Sequence, residues 1–251
     1  MPARRYAVVG DPVAHSLSPR MQNAAFRACG LEATYAAVRA RREEGLATMK
    51  ALCEAGYAGF NITTPLKDIA AGAVDALTCE AACAASVNTV RCDPDALAGH
   101  NTDGGGLLRA LDDIWSWQPR DRSVLLFGSG PAARAAACAL LAAGAVTIQC
   151  WSRNEAAAAA IGASPDGNQD LVINALPAGA LVPPSVLQKI GRATPIFDMN
   201  YSVNTCPIPL GLGGLRSDGR PLLLHQGALA FQWWTGLKPP LQEMRSAIGL
   251  A

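Results

Sequence analysis

The sequence predicts an α/β protein with parallel sheet in two lobes, and three observations carry that expectation. Short apolar runs of strand length alternate with longer runs of helical length along the chain, with Gly and Pro at many joints. The stretch 123–144, SVLLFGSGPAARAAACALLAAG, reads as a buried strand, a tight glycine turn, a helix and a glycine stop. A polar, glycine-dense turn, GHNTDGGG at 99–106, precedes that unit and marks the place where the lobes meet.

Bulk properties narrow the classes. With 251 residues, half of them hydrophobic, the chain can bury a large core. A formal net charge of +1 leaves no basic footprint for nucleic acid and no charged face for an anionic membrane, so a small-molecule substrate is the expected partner. The opening MPARRYAVVGDP has too few apolar residues before its turn to read as a secretion signal. The longest near-apolar run, 135–148, is too short to span a bilayer. Eight cysteines are scattered without a C-x-x-C, and only three histidines are present, so no metal site is expected. Reduced thiols in a cytoplasmic protein follow, with Cys79 and Cys83 read as two small core residues one helical turn apart.

The elements justify themselves in order. Strands are expected at 5–10, 33–38, 57–63 and 86–90, then at 146–151, 170–175 and 195–199 after the strand of the glycine unit. Helices are expected at 20–29, 43–54, 78–85 and 107–114, in the alanine run after 152–154, and at 225–236. Ser18 before Pro19 suits a helix start, and Ser16 a turn; the same two hydroxyls could hold a carboxylate, and both readings stand. Lys67 follows a strand and a proline, where a solvated loop charge is common but where open α/β sheets also place ligands. Asp103 fits a helix cap, a role compatible with a second one. Gly128-x-Gly130-x-x-Ala133 matches the dinucleotide fingerprint: one glycine for the turn, one for backbone approach to pyrophosphate, and a small residue for close helix packing.

Taken together, these stretches resemble the shikimate dehydrogenase family over nearly the whole chain. HSLSP at 15–19 with Asn23, GFNITTPLK at 59–67, SVNT at 86–89, GHNTDG at 99–104, Asp198-Met199 with Tyr201, and Gln226-Gly-Ala with Trp234-Thr-Gly are similar to its ordered motifs. The resemblance implies an N-terminal α/β substrate lobe (1–103 with 227–251), a Rossmann-like dinucleotide lobe (104–226) and C-terminal helices returning to the first lobe. It implies hydride transfer between a nicotinamide cofactor, NADP with NAD as the alternative, and C3 of shikimate. Lys67 and Asp103 are then the catalytic pair. Ser16 and Ser18 become the carboxylate hydroxyls, and Thr63, Asn88, Gln226 and Tyr201 further substrate contacts. Gly128, Ser129, Gly130, Pro131 and Ala132 become the pyrophosphate cradle, with Ser152, Arg153 and Met199 also on the cofactor and Arg153 on the ribose 2′-phosphate. No metal is implied, and the assembly expected is a monomer or homodimer.

Several positions depart from the family pattern. Gln22 replaces a usual histidine, as in quinate/shikimate relatives, and Glu155 beside Arg153 is the kind of acid that holds the ribose of NAD. The span 153–170 has room for only one helix and a turn, so the nucleotide lobe is expected to be trimmed at one edge. LPAG at 176–179, Val203, the paired prolines 207 and 209, and Pro221 also differ, the prolines breaking an expected helix. The alternatives weighed are a quinate/shikimate dehydrogenase and a nucleotide-binding relative without catalysis, against which Lys67 and Asp103 argue.

Overall fold

The computed structural model describes residues 3–201 and 206–250. It divides into two compact units, one built from residues up to Gly106 and from Leu223 onward, the other from Leu107–Leu222. Gln226 therefore belongs with the first unit rather than with the nucleotide lobe.

The first unit begins with β1 (Arg4–Gly10), α1 (Ser18–Ala28) and β2 (Ala33–Arg39). A 3-10 turn (Arg42–Glu44) leads into α2 (Gly45–Glu54), followed by β3 (Gly59–Ile62), α3 (Lys67–Ala71), β4 (Ala76–Leu77) and α4 (Cys79–Ala84). Then come β5 (Thr89–Asp93) and β6 (Ala96–His100). Its sheet has the order β2-β1-β3-β5-β6-β4. β1 pairs in parallel with β2 and β3, but β5 is antiparallel to both β3 and β6. In this unit the hairpin corrects the expectation of a parallel sheet: Pro94-Asp95 is a two-residue turn with no room for a crossover helix. A core of Phe60, Ile62, Leu66, Val87 and Val90 packs with Met49 and Leu52 of α2.

The second unit holds most of α5 (Asp103–Trp115), then β7 (Ser123–Phe127), α6 (Pro131–Ala142), β8 (Thr147–Trp151), α7 (Glu155–Ala159), β9 (Leu171–Asn174), α8 (Pro184–Leu187), β10 (Ile196–Asp198) and β11 (Arg216–Ser217). Its five strands are all parallel in the order β11-β10-β9-β7-β8. The order reverses between β7 and β9, and ligands of doubly wound sheets bind at such a switch point. β8 is an edge strand, extended only by a single bridge from Gln149 to Ala163, in keeping with the short 153–170 span. No helix forms over 206–219, where Pro207 and Pro209 stand; Val203 lies outside the described residues.

Two further helices close the chain, α9 (Arg220–Thr235) and α10 (Leu241–Ala247). Within the first unit, Phe231 and Trp234 of α9 meet Phe26 and Tyr6 at ring separations of 5.7 and 5.0 Å, and the Trp234 indole donates to the Val90 carbonyl (2.9 Å). Gly59 makes that approach possible, since a Cβ there would lie 2.6 Å from both the indole nitrogen and the Val90 oxygen.

Cys79 and Cys83 are not core residues; both are exposed on α4. Cys83 and Cys138 are disulfide-bonded, which corrects the expectation of reduced thiols throughout; Cys29, Cys53, Cys79, Cys92, Cys150 and Cys206 carry no such bond among the described residues. Among the described residues no group of His, Cys, Asp and Glu could hold a metal, and no helix is long and apolar enough to cross a membrane.

Candidate active site

The hairpin assembles the first unit's polar centre. Because β5 runs against β3, its beginning lies beside the carboxyl end of β3, with Asn61 opposite Thr89. β6 then returns to the same end, with Thr89 opposite His100. Asn88, before β5, and Asn101-Thr102-Asp103, after β6, are thereby brought together. Asn88 Nδ2 donates to Asp103 Oδ1 (2.7 Å) and Thr102 Oγ1 (2.9 Å), while its Oδ1 accepts from the Thr102 N–H (2.8 Å) and Thr89 Oγ1 (2.9 Å). That leaves the Asn88 amide in one orientation.

Lys67 joins this group from α3. It is the first residue of that helix rather than a loop charge, and its carbonyl accepts the Val87 N–H (3.0 Å). Lys67 Nζ donates to Asp103 Oδ2 at 2.5 Å, and the two side chains are only 14% and 8% exposed. An ammonium and a carboxylate so little hydrated attract far more strongly than a surface pair. Asp103 thus has one oxygen on Lys67 and the other on Asn88. It opens α5 instead of capping it, and the side chain on its own N–H is Asn101 Oδ1 (3.0 Å).

The remaining substrate candidates of this unit surround that core. Ser16 is half-buried; its hydroxyl accepts the Ser18 N–H (3.2 Å). Ser18 is buried and begins α1, with Leu17 at the cap position, so the cap reading of Ser18 is corrected. Thr63 follows β3 and is half-buried. Gln226 Oε1 lies 3.5 Å from the Thr102 hydroxyl, and its Nε2 donates to Leu223 O (2.9 Å). Gln22 is fully buried and donates from Nε2 to the Gly227 carbonyl (2.8 Å), while its Oε1 has no partner among the described residues. Tyr201 is carried by the second unit, after β10, and is half-buried.

Sequence reasoning missed a second layer. The Tyr35 hydroxyl donates to Asn61 Oδ1 (2.7 Å), and Asn61 Nδ2 donates to Asn88 O (3.1 Å) and Thr89 Oγ1 (3.0 Å). The available signal was a pair of polar side chains, Asn61 and Thr89, inside strands with buried neighbours, since such groups need partners.

In the second unit the fingerprint loop sits at the switch point. Gly128 follows β7 with φ +111°, and a Cβ there would lie 3.0 Å from the Ala175 carbonyl after β9, so only glycine fits. Gly130 caps α6, and nothing lies within 4 Å of where its Cβ would be. Pro131 opens the helix, Ala132 is half-buried and Ala133 is fully buried. A helix start beside a glycine with open space around it is the arrangement that holds a phosphate. The Ser129 and Ser152 hydroxyls are 2.8 Å apart, which joins the loop to the end of β8. Arg153 and Glu155 are both exposed, and Asn154 between them caps α7 by accepting the Ala157 N–H. Met199 packs partly buried against the core with its N–H on Asn174 O (2.9 Å). The residues present fit a dinucleotide.

By fold, the chain pairs a doubly wound, Rossmann-like unit with an α/β unit that carries a buried lysine–aspartate pair. Residues 8–90 match the shikimate dehydrogenase substrate binding domain, and residues 219–248 the shikimate 5'-dehydrogenase C-terminal domain. Shikimate dehydrogenase (NADP(+)) of Geobacter metallireducens is 33% identical over 98% of this chain and 96% of its own. That of Methanothrix thermoacetophila is 38% identical over 98% and 97%. The crystal structure of shikimate 5-dehydrogenase from Thermus thermophilus in complex with NADP(H) and shikimate superposes with a TM-score of 0.83 at 32% identity, covering 97% of this chain and 98% of that one. The chain belongs to the shikimate dehydrogenase family.

Proposed function

We propose that this protein is an NADP-dependent shikimate dehydrogenase, reversibly reducing 3-dehydroshikimate to shikimate in aromatic amino acid biosynthesis. The observation that carries the reading is the Lys67–Asp103–Asn88 group at the carboxyl end of the first sheet, in a chain of this family with an intact fingerprint loop. On this reading the protein is a cytoplasmic enzyme, monomeric or homodimeric, acting on a small molecule.

The roles follow from chemistry. The Ser16 and Ser18 hydroxyls hold the substrate carboxylate, while Thr63, Asn88, Gln226 and Tyr201 contact its hydroxyls. Lys67 Nζ, with donors beyond the one spent on Asp103, hydrogen-bonds the C3 oxygen and gives it a proton in reduction. Asp103 keeps the ammonium aimed and holds the substrate hydroxyl in the reverse direction. Gly128, Ser129, Gly130, Pro131 and Ala132 would receive the pyrophosphate, with Ser152, Arg153 and Met199 on the remainder of the cofactor and Arg153 at the 2′-phosphate. When bound, the cofactor would supply a hydride as NADPH in reduction and take one up as NADP+ in the reverse direction.

The test is a four-way absorbance assay of shikimate or quinate with NADP or NAD. The reading expects shikimate with NADP to exceed the other pairs by at least about tenfold, a difference of roughly 1.4 kcal/mol. A quinate or NAD preference would assign the decisive roles to Gln22 or Glu155. No turnover with any pair, with cofactor still bound, would overturn the enzymatic reading.

A further inference from the structure

Cys53 and Cys92 lie outside the catalytic group. Cys53 is in the last turn of α2; Cys92 is in β5, where its N–H donates to Ala58 O (3.1 Å) just before β3. Their sulfurs are 3.0 Å apart, about 1 Å more than an S–S bond. Both side chains are half-buried and packed against the core of Met49, Leu52 and Val90, which holds the two sulfurs side by side.

The approach to this pair is also defined. Cys53 lines a hollow of about 480 Å³ whose apolar lining includes Leu46, Met49 and Leu97, with the carboxylates of Asp75, Asp93 and Asp95 beside them. Of the charges there, Lys50 is 3.8 Å from Glu54 of the lining and Asp93 is paired with Arg91 (2.9 Å), which leaves Asp75 and Asp95 as the excess acids. A small neutral oxidant can enter such a hollow, and an anionic one is repelled. Burial, then the Cys53 sulfur and Asp93, push the Cys92 thiol well up. Cys53 lines the hollow and Cys92 does not, so Cys53 is the sulfur that an entering oxidant meets first.

We propose that Cys53 and Cys92 are a reversible dithiol–disulfide couple that closes under a neutral peroxide. The Cys53 thiolate attacks one oxygen of hydrogen peroxide; the O–O bond breaks, water is released after protonation, and Cys53 becomes a sulfenic acid. The Cys92 sulfur attacks the Cys53 sulfur, the S–O bond breaks, and a second water leaves with the Cys92 proton. Two thiols lose two electrons and two protons in total, and the peroxide is reduced to two waters. The new bond closes a loop over 53–92, which contains Asn61, Lys67 and Asn88. It lies at the amino end of β3, the far end from the Asn61–Thr89 pairing, so it staples the unit without touching the catalytic group.

The test uses the full-length protein, fully reduced, exposed to stoichiometric hydrogen peroxide, blocked with N-ethylmaleimide and mapped by non-reducing peptide mass spectrometry. The expected result is a Cys53–Cys92 linked peptide as the main fate of both residues, reversed by dithiothreitol. Thermal unfolding should rise by roughly 5 °C or more, with turnover within about twofold of the reduced enzyme. Cystamine, a cationic disulfide, should link the pair faster than oxidised glutathione, which is anionic. In Cys92→Ser, the Cys53 sulfenic acid should accumulate and be trapped by dimedone. If that variant does not fold, the wild-type map decides. Separate alkylation of Cys53 and Cys92 under peroxide that has oxidised exposed Cys79, or sulfinic acid at Cys53 with no link, would overturn the proposal.

Discussion

Lys67 and Asp103 share a hydrogen bond in a setting with little water, so each side chain fixes the charge environment of the other. Replacing Lys67 with Met keeps the length but removes the ammonium that bonds Asp103 Oδ2. We expect kcat to fall about 10³-fold. NADPH affinity, measured by fluorescence titration, should stay within about twofold, because the fingerprint loop belongs to the other unit. An equal loss of both would count against the roles assigned. Asp103→Asn should lower kcat by about 10²-fold and leave the protein folded, since Asn can still bond Asn88 after an amide flip. His100 offers a second test. Burial holds its pKa below the ordinary value, with Glu80 pulling weakly upward. The unfolded chain therefore binds this proton at higher pH than the folded one, so stability falls as pH drops through about 6.5 and levels off below the folded value. Urea unfolding between pH 7.5 and 5.5 should show that slope, and His100→Gln should flatten it. An unchanged slope would rule His100 out as its source.

At the scale of elements, the β5–β6 hairpin and the approach of α5 to α9 decide where the site residues lie. A Cβ on Gly106 would come within 2.7 Å of the Gln226 nitrogen and Cβ, so these backbones can meet only at a glycine. Gly106→Ala should destabilise the protein by about 1–3 kcal/mol and raise KM for shikimate more than it lowers kcat. A wild-type KM with full stability would show that Gln226 does not depend on this contact. Most strands were legible because their apolar runs are short and continuous, as at Val124–Phe127 and Leu171–Ile173. The hairpin was not: SVNTV reads as one strand, but Ser86–Asn88 serve as an approach, and pairing begins at Thr89. The expected start of α5 at residue 107 was late because three glycines hide a first turn that Asn101 caps. Site chemistry was legible where motif residues had few alternative uses, as with Lys67. Asn61 and Tyr35 were hidden because their roles arise only when β2, β1 and β3 lie side by side.

At the scale of the whole molecule, the fingerprint loop and the Lys67–Asp103 pair lie in separate compact units, so on the proposed roles substitutions in them should report separately. Gly128→Ala forces a side chain onto a positive φ and against the Ala175 carbonyl. Cofactor affinity should drop at least tenfold. Shikimate-induced thermal stabilisation of the cofactor-free protein, a property of the first unit, should remain; its loss would show that the substrate site needs the loop intact.

The breaks between the units fall inside α5 and α9 instead of in loops. A gene fragment trimmed to Leu107–Leu222 would open within a helix, discarding Asn101, whose side chain meets the Asp103 N–H, and the first turn of α5 with it. Anyone seeking the nucleotide-binding half as an independent protein should start at Asn101 and run through Thr235, keeping α5 and α9 whole. The useful cutting sites in this molecule are set by helix caps, not by the line where the chain's contacts are fewest.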